Sequence, residues 1–449
     1  MDYNQSLSVK RNLILYEYFV VFILIWYAGK ATLFVVSIES WEYITGLMLP
    51  IISVLILAIL KGVQFNYKFW LLILGFTLYF IASTVKFGEL HPRFYLINIM
   101  KISIVYIVIS ALRFKMFKIY EEILYVLCIV GLTFWLIQNI IPDVFIELLR
   151  NFEFSRQPEP KANVDFNMII YTVNNFEVAP DHIIELGSIK IFRNPGFAWE
   201  PGAFATYINI AIFFNLIRNK FRLKNNKHFW VFLIALASTF STTGYSILIL
   251  LALFYVYNQN LVKKVWLVPI IVLTGMLLFT LPFMTNKITK EPTFTTDQMI
   301  YYSAKYKNAY SPQRIQSLQI DIIDFLNHPL IGYGGHDEVK WTKQLGAQIA
   351  TVSGIGKIMA QFGIVGIIFF IISLWKSSKQ IITLYNIKGT IFPFLLILLI
   401  SVSYSVLNTI FMFIWLLHFS SFLKTEVLRR YTAYTILKKI ESPESHLLK

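Results

Sequence analysis

The chain reads as an all-α polytopic membrane protein with about 12 transmembrane helices and both termini in the cytoplasm. Three observations predict this. Of the 449 residues, 57% are hydrophobic and only 14% charged. That is too little charge to clothe a soluble domain of this size, so the bilayer serves as solvent. The mean hydropathy is +0.62. The apolar residues also fall in runs long enough to cross about 30 Å of hydrocarbon, divided by short loops rich in Lys and Arg.

Taken in order, the runs lie near 14–36, 44–62, 68–86, 95–112, 119–141, 202–217, 229–242, 244–260, 265–282, 354–374, 390–406 and 408–423. The first is too long for a signal-peptide core and lacks a small-residue cleavage site, so it reads as a retained signal anchor. The stretches 229–260 and 390–423 are each read as two short crossings, because only then does the charge of the loops alternate consistently. With the N-terminus inside, the cytoplasmic pieces carry Lys10 and Arg11, KGVQFNYK, RFKMFK, RNKFRLKNNKH, Lys263 and Lys264, KSSKQIITLYNIK, and the tail from Lys424. Together they hold more than half of the 40 Lys and Arg residues. Ten or eleven crossings would place at least one basic loop outside, against the positive-inside rule.

The chain thus divides into membrane helices over 1–142, a first large extracytoplasmic loop over 143–195, and membrane helices over 196–282. A second large loop over 283–352, membrane helices over 353–423 and a basic cytoplasmic tail over 424–449 complete it. Loops of that length are uncommon unless functional, and both face the same compartment. Neither has the composition of a disordered segment: the first carries VDFNMIIYTVNNF, the second SPQRIQSLQIDIIDFLNHPLIGYGGHDE. Over 312–327 the spacing predicts an amphipathic helix, with Ser311 as N-cap, Pro312 at its first position and Ile315, Leu318, Ile322 and Leu326 along one face. His328-Pro329 closes it and Gly332, Gly334 and Gly335 form a turn. Such a helix lies against the membrane surface or caps the bundle.

FRNPGFAWEPGAFA, at 192–205, sets charge at a hydrophobic boundary. Arg193 reads either as an interfacial arginine snorkelling to headgroups or as an anion-binding group. The second reading draws on Gly196 and Gly202, which let backbone approach a ligand, and on Pro201 at a helix start. Glu200 either complements the helix dipole, or orients Arg193 or a substrate hydroxyl, or acts as general base. Arg314 in the first turn of the 312–327 helix opposes the helix dipole, so it is either an exposed misfit or a group held for an anionic ligand. His336 and Asp337 form a candidate acid/base pair after the glycine turn. Lys101 and Lys357, inside spans, are expected to face the bundle interior. STFSTTGYS, at 238–246, is a polar turn or a sugar contact.

Several classes have no support. HExxH, paired CxxC, Walker and GxSxG motifs are absent, so metal, nucleotide and serine-hydrolase chemistry lack a sequence basis. The single cysteine, Cys128, lies in an apolar run and reads as a small buried hydrophobe. A net charge of +15 would fit nucleic-acid binding, but the charge is spread over short loops as a topology signal. No cofactor is expected.

The stretches RNPGFAWEPGAFATYI (193–208), STTGYSILIL (241–250), QRIQSLQIDIIDFLNHPLIGYGG (313–335) and SGIGKIMAQFGIVGII (353–368) resemble, in their order and sidedness, the O-antigen polymerase/ligase superfamily. The resemblance covers about 180–370 and the overall topology. It implies a metal-independent, inverting glycosyltransferase of the GT-C kind in the bacterial inner membrane. Its donor and acceptor would be undecaprenyl-diphosphate-linked glycans of O-antigen, capsule or related surface polysaccharides, joined outside the cytoplasm. A flippase and a chain-length regulator would be its partners. Arg193 and Arg314 match the arginines that such enzymes use on the diphosphate, and Glu200, ahead of His336 and Asp337, is the candidate base. Ligases of the superfamily typically carry a histidine where this chain reads ATVSGIGK (350–357), which favours a polymerase over transfer of glycan to lipid A-core. A lipid-linked sugar transporter is the alternative of a different class, although the paired repeats common in transporters are not visible. An envelope scaffold would need none of these side chains.

Overall fold

The computed structural model describes residues 3–29, 41–150, 166–167, 170–173, 183–186, 189–259, 269, 273, 294–307, 309–310 and 312–404. At 3–11, 41–46, 149–150, 166–167, 185–186, 189 and 309 it describes the backbone alone. The run expected at 265–282, save residues 269 and 273, the run at 408–423, the cap Ser311, the cytoplasmic Lys263 and Lys264 and the basic tail lie outside the described residues.

Helices predominate. The first group is α1 (Tyr3–Ala28), α2 (Trp41–Lys61), α3 (Tyr67–Phe87), α4 (Pro92–Leu112), α5 (Lys115–Ile140) and the short α6 (Pro142–Arg150). Then come α7 (Pro201–Arg218), α8 (Lys227–Ser238), α9 (Thr242–Asn258), α10 (Thr296–Tyr306), α11 (Arg314–Asn327), α12 (Gly354–Leu384) and α13 (Ile391–Ser403). Among the described residues, four helices are long and apolar enough to cross a membrane: α3, α4, α5 and α12. Apolar α8, α9 and α13 are shorter. The protein is therefore a helical, membrane-embedded one.

Most helices begin and end where the apolar runs do. Asn66 caps α3 by accepting from Phe69 N, and Gly88, at φ 75°, ends it. Between α8 and α9 the chain turns through Phe240 at φ 46°, and Ser241 caps the new helix. The stretch 229–260 is thus two helices. One expectation is corrected at 376–388, read as a loop: α12 continues to Leu384, because KSSKQIITL holds no breaker before Asn386 at φ 50° and Gly389 at φ 93°.

Helix α7 is the centre of the bundle, with every residue from Pro201 to Ile217 buried, packed on α5, α8 and α9. Apolar burial gives helices no reason to associate in lipid, so close packing and polar contacts must do it. Here Gly244 of α9 sits against Ala205 of α7, where an added Cβ would come within 2.7 Å. Asn209 Nδ2 donates to Gly244 O across the same interface at 3.0 Å. At the Arg218 end of α7, buried Glu17 pairs with Lys61 and Lys115, and buried Glu121 with Arg218 and His228. Those four partners come from three loops that the sequence assigns to one side of the membrane. Arg193 and Glu200 lie at the other end of α7.

A purely helical reading misses three small two-stranded ladders: β1 (Phe166–Asn167) with β2 (Thr172–Val173), β3 (Ile183–Leu186) with β4 (Ile189–Phe192), and β5 (Ala309–Tyr310) with β6 (Gln348–Ile349). The first two are antiparallel and lie within the first large loop. The third is parallel and ties together two distant parts of the second.

Helix α11 departs from expectation at its start. Gln313, not Ser311, is the N-cap, and Pro312 precedes it. Gln316 Oε1 accepts from Gln313 N at 3.3 Å, closing a capping box that Ser311 and Pro312 could not form. Its amphipathicity is turned inside out. The buried face is Gln316, Ser317, Ile320, Asp321 and Asp324, set on α12, whereas Ile315 and Leu326 are 75% and 66% exposed. Four of the five residues on the buried face are polar, Leu318 and Ile322 are half-buried, and Ile315 and Leu326 point outward.

The loop after α11 fills a break in α12. Gly363 has φ 62° and ψ −158° in the middle of that helix. Tyr333 N donates to Ala360 O at 3.0 Å, Gly334 N to Gln361 O at 2.9 Å, and Ile364 N to Pro329 O at 2.8 Å. The backbone groups released by the break are thereby satisfied by HPLIGYGG.

Candidate functional site

The turn that carries Arg193 is held from three sides. Strand β4 delivers Phe192, whose N–H donates to Asn139 Oδ1 at 2.8 Å and whose carbonyl accepts from Trp135 Nε1 at 2.6 Å, both on α5. Asn194 bonds the end of α8 through its backbone to Ser238 O and through its amide to Ser238 Oγ, each at 2.9 Å. Its Oδ1 accepts from Gly196 N at 2.9 Å, a local Asx turn that suits Asn before Pro-Gly. Gly196 needs its φ of 51°, and Phe204 Cζ would lie 2.6 Å from a Cβ there. The space beside Gly202 is taken by the Tyr404 hydroxyl. The two glycines expected to admit a ligand instead admit the chain's own rings.

Arg193 is 7% exposed, and its Nε donates to Thr239 O at 3.1 Å. Burial lowers its pKa, and the nearby Glu200 carboxylate works against that. Glu200 is the N-cap of α7, with Pro201 at the first helical position as expected, yet its side chain makes no capping bond. It accepts from the Tyr404 hydroxyl and lies 3.9 Å from Arg314 Nη2. The carboxylate thus stands beside Arg314 and the Tyr404 hydroxyl rather than capping α7.

Arg314, from the other large loop, completes the group. Its Nη1 donates to Thr243 Oγ1 at 3.0 Å and its Nη2 to Tyr404 Oη at 3.3 Å, and the guanidinium lies 5.4 Å from the Tyr404 ring centroid. Thr243 Oγ1 is also 3.1 Å from Ser403 Oγ. Arg193 and Arg314 are close enough for each to feel the other's charge. Two guanidiniums around one carboxylate leave a net positive site, lined by hydroxyls and suited to an anion that both forks can grip.

His336 and Asp337 do not belong here. Arg314 opens α11, and His336 lies nine residues beyond its far end, past a helix about 20 Å long. The His336 ring packs on Phe87 and His91, at 4.6 Å and 4.2 Å between centroids, and Asp337 pairs with Lys340. Neither can exchange a proton with a ligand on the arginines from there.

Two contributors to this group, and one buried carboxylate outside it, escaped the sequence reading. Tyr404 carries no local signal, since its partners Glu200 and Arg314 lie 204 and 90 residues away. Thr243 lies within the hydroxyl-rich STFSTTGYS but was not distinguished there. Asp321 could have been found, because Ser317, Asp321 and Asp324 recur at helical spacing on the face opposite Ile315. Asp321 is 3% exposed, and burial pushes its carboxyl up to about 7 against a hydrogen bond from Thr351 and the charge of Lys357. Lys357 thus faces a carboxylate-lined interior, as an intramembrane lysine should, and Lys101 is buried.

The Asp321 shift fixes a pH dependence. Its folded pKa exceeds the ordinary 3.8, so the folded state holds the proton more tightly, and stability falls as pH rises from about 3.8 to about 7, levelling above. Asp321→Asn removes that slope. Melting curves in detergent from about pH 5 to about pH 8 should show the wild type losing ground to Asp321→Asn. Parallel curves would contradict the assignment.

A concavity of about 410 Å³, away from the arginines, lies between α3, α4 and α12 and is lined by Leu71, Phe76, Phe362 and Phe369 with little polar surface. It offers no reacting group. No protein-family model matches the chain, and no curated protein matches it.

Proposed function

We propose that this chain is a membrane glycosyltransferase that polymerises undecaprenyl-diphosphate-linked oligosaccharide repeat units on the outer face of the bacterial inner membrane. The observation that carries the reading is the meeting of Arg193 and Arg314, from two separate large loops, around Glu200. A diphosphate leaving from a sugar develops charge on its oxygens. Paired guanidiniums stabilise it bidentately in place of a metal.

The acceptor hydroxyl oxygen forms its bond to the donor's anomeric carbon. The bond from that carbon to the diphosphate oxygen breaks, and the electron pair departs with the lipid diphosphate. The hydroxyl proton passes to the Glu200 carboxylate, which also holds Arg314 in place through Tyr404. The inverted amphipathicity of α11 supports a lipid-borne substrate: with Ile315 in the bilayer, Arg314 beside it stands at headgroup level, where a lipid diphosphate lies. The lack of a histidine in ATVSGIGK supports polymerisation rather than ligation.

Purified protein in lipid nanodiscs, given the lipid-linked repeat unit, should yield a ladder of longer lipid-linked glycans by mass spectrometry. A single transfer to lipid A-core would make it a ligase. Movement of the lipid-linked sugar across vesicles with no new glycosidic bond would make it a transporter.

A further inference from the structure

We propose that Glu89, His91, His336 and Glu338 form a zinc site that clips the second large loop to the turn between α3 and α4. This stands apart from the transfer chemistry and does not depend on it. One ligand atom from each of the four lies within 4.8 Å of all the others. His91 Nε2 is 3.0 Å from Glu338 Oε1 and 3.5 Å from Glu89 Oε2, and His336 Nδ1 is 3.6 Å from Glu338 Oε1.

Two features separate this cluster from an ordinary network of ion pairs. His91 Nε2 and His336 Nδ1 are buried and make no hydrogen bond, although carboxylate oxygens stand near them. His336 is 1% exposed, so water does not stand in for a partner. Burying a ring nitrogen unpaired is costly, and the neighbours that could relieve it are misaligned to do so. Three of the pairs, at 3.0–3.6 Å, already have the spacing of a coordination shell, and the others, within 4.8 Å, come to it by small side-chain movements. Zinc bonds of about 2.0–2.1 Å in a tetrahedron put neighbouring ligand atoms about 3.3–3.4 Å apart, within the observed 3.0–3.6 Å.

Chemistry selects the ion. Two imidazole nitrogens with two carboxylate oxygens suit zinc, whereas magnesium and calcium prefer oxygen alone. A divalent charge matches the two carboxylates. The other charged groups nearby are otherwise engaged, with Lys340 on Asp337 and Lys86 over the Phe87 ring at 4.7 Å. The site is open on the side of Glu89 and Glu338, whose side chains are 65% and 50% exposed, so an ion can enter from solvent. Bound there, it would cross-link two segments far apart in sequence and secure the loop that fills the break in α12.

Full-length protein in detergent, stripped with chelator and dialysed against micromolar zinc chloride, should retain about one zinc per chain and melt at a higher temperature than the stripped form. Cobalt(II) in its place should give the intense visible absorption of a tetrahedral centre. His91→Ala and Glu338→Gln, at partly exposed positions, should fold and bind zinc more weakly by more than the ~10–100-fold that loss of an outer-shell partner costs. His336→Ala should lose the zinc-dependent rise in melting temperature. The proposal fails if the wild type holds no zinc at micromolar concentration, or if His91→Ala and Glu338→Gln bind it as the wild type does.

Discussion

Arg193→Ala and Arg314→Ala should each lower the rate of glycan elongation by about 10²–10³-fold, the usual effect of removing one donor from a preorganised anion site. Each variant should still be recovered as monodisperse protein. Arg314 bonds the side chains of Thr243 and Tyr404 and Arg193 donates to Thr239 O, so each variant removes polar contacts and leaves the apolar packing around α7 in place. Both arginines act on one diphosphate, so the double variant should be little slower than either single one, as for residues that work as a unit. Lysine should rescue poorly at both positions, because a point charge does not reproduce the guanidinium fork. Glu200→Gln should reduce the rate as well, through loss of the proton acceptor and of the contact that orients Arg314. Elongation at the wild-type rate in both alanine variants would remove the basis for the proposed function.

What could be read from the sequence, and what could not, follows from the range of each signal. Hydropathy and helix caps are local, and they placed α3, α4, α5, α7, α8 and α9 within a few residues. The break at Gly363 was missed because the glycine is surrounded by apolar residues that continue a helical pattern on both sides. Arg193 and Glu200 were conspicuous because charge at the start of an apolar run is costly. Their pairing with Arg314 needed sidedness as well, which the basic loops supply. Tyr404 could not be found, since a tyrosine near the end of an apolar run is ordinary and its bond to Glu200 is purely tertiary. His336 differs: a His-Asp step after a glycine turn has the look of an acid/base pair, but α11 separates it in the chain from Arg314 and its ring packs on Phe87 and His91. The outward apolar face of α11 was legible in its spacing, but which face meets the protein depends on the polar partners along α12 that only folding brings near.

The second large effect concerns Gly363. Its φ of 62° with ψ of −158° falls in a region populated essentially by glycine alone, and a Cβ there would come 2.5 Å from the Leu330 carbonyl carbon. Gly363→Ala should therefore cost about 3 kcal/mol or more, combining backbone strain with a clash against main chain that cannot move cheaply. Restoring a continuous helix through residue 363 would not relieve this, because Pro329, Tyr333 and Gly334 would then lose their partners on α12, and unpaired backbone in a membrane protein is itself penalised by several kcal/mol. The expected result is a large fall in melting temperature or failure to recover monodisperse protein. Gly75→Ala is the control: it sits in α3 with nothing within 4 Å of the added Cβ, and should be neutral or slightly stabilising. If Gly363→Ala melted like Gly75→Ala, the break in α12 would not depend on glycine. Since α11 leans on α12 just ahead of that break, a folded but loosened Gly363 variant should also elongate glycan more slowly, with Arg314 no longer held against Thr243 and Tyr404.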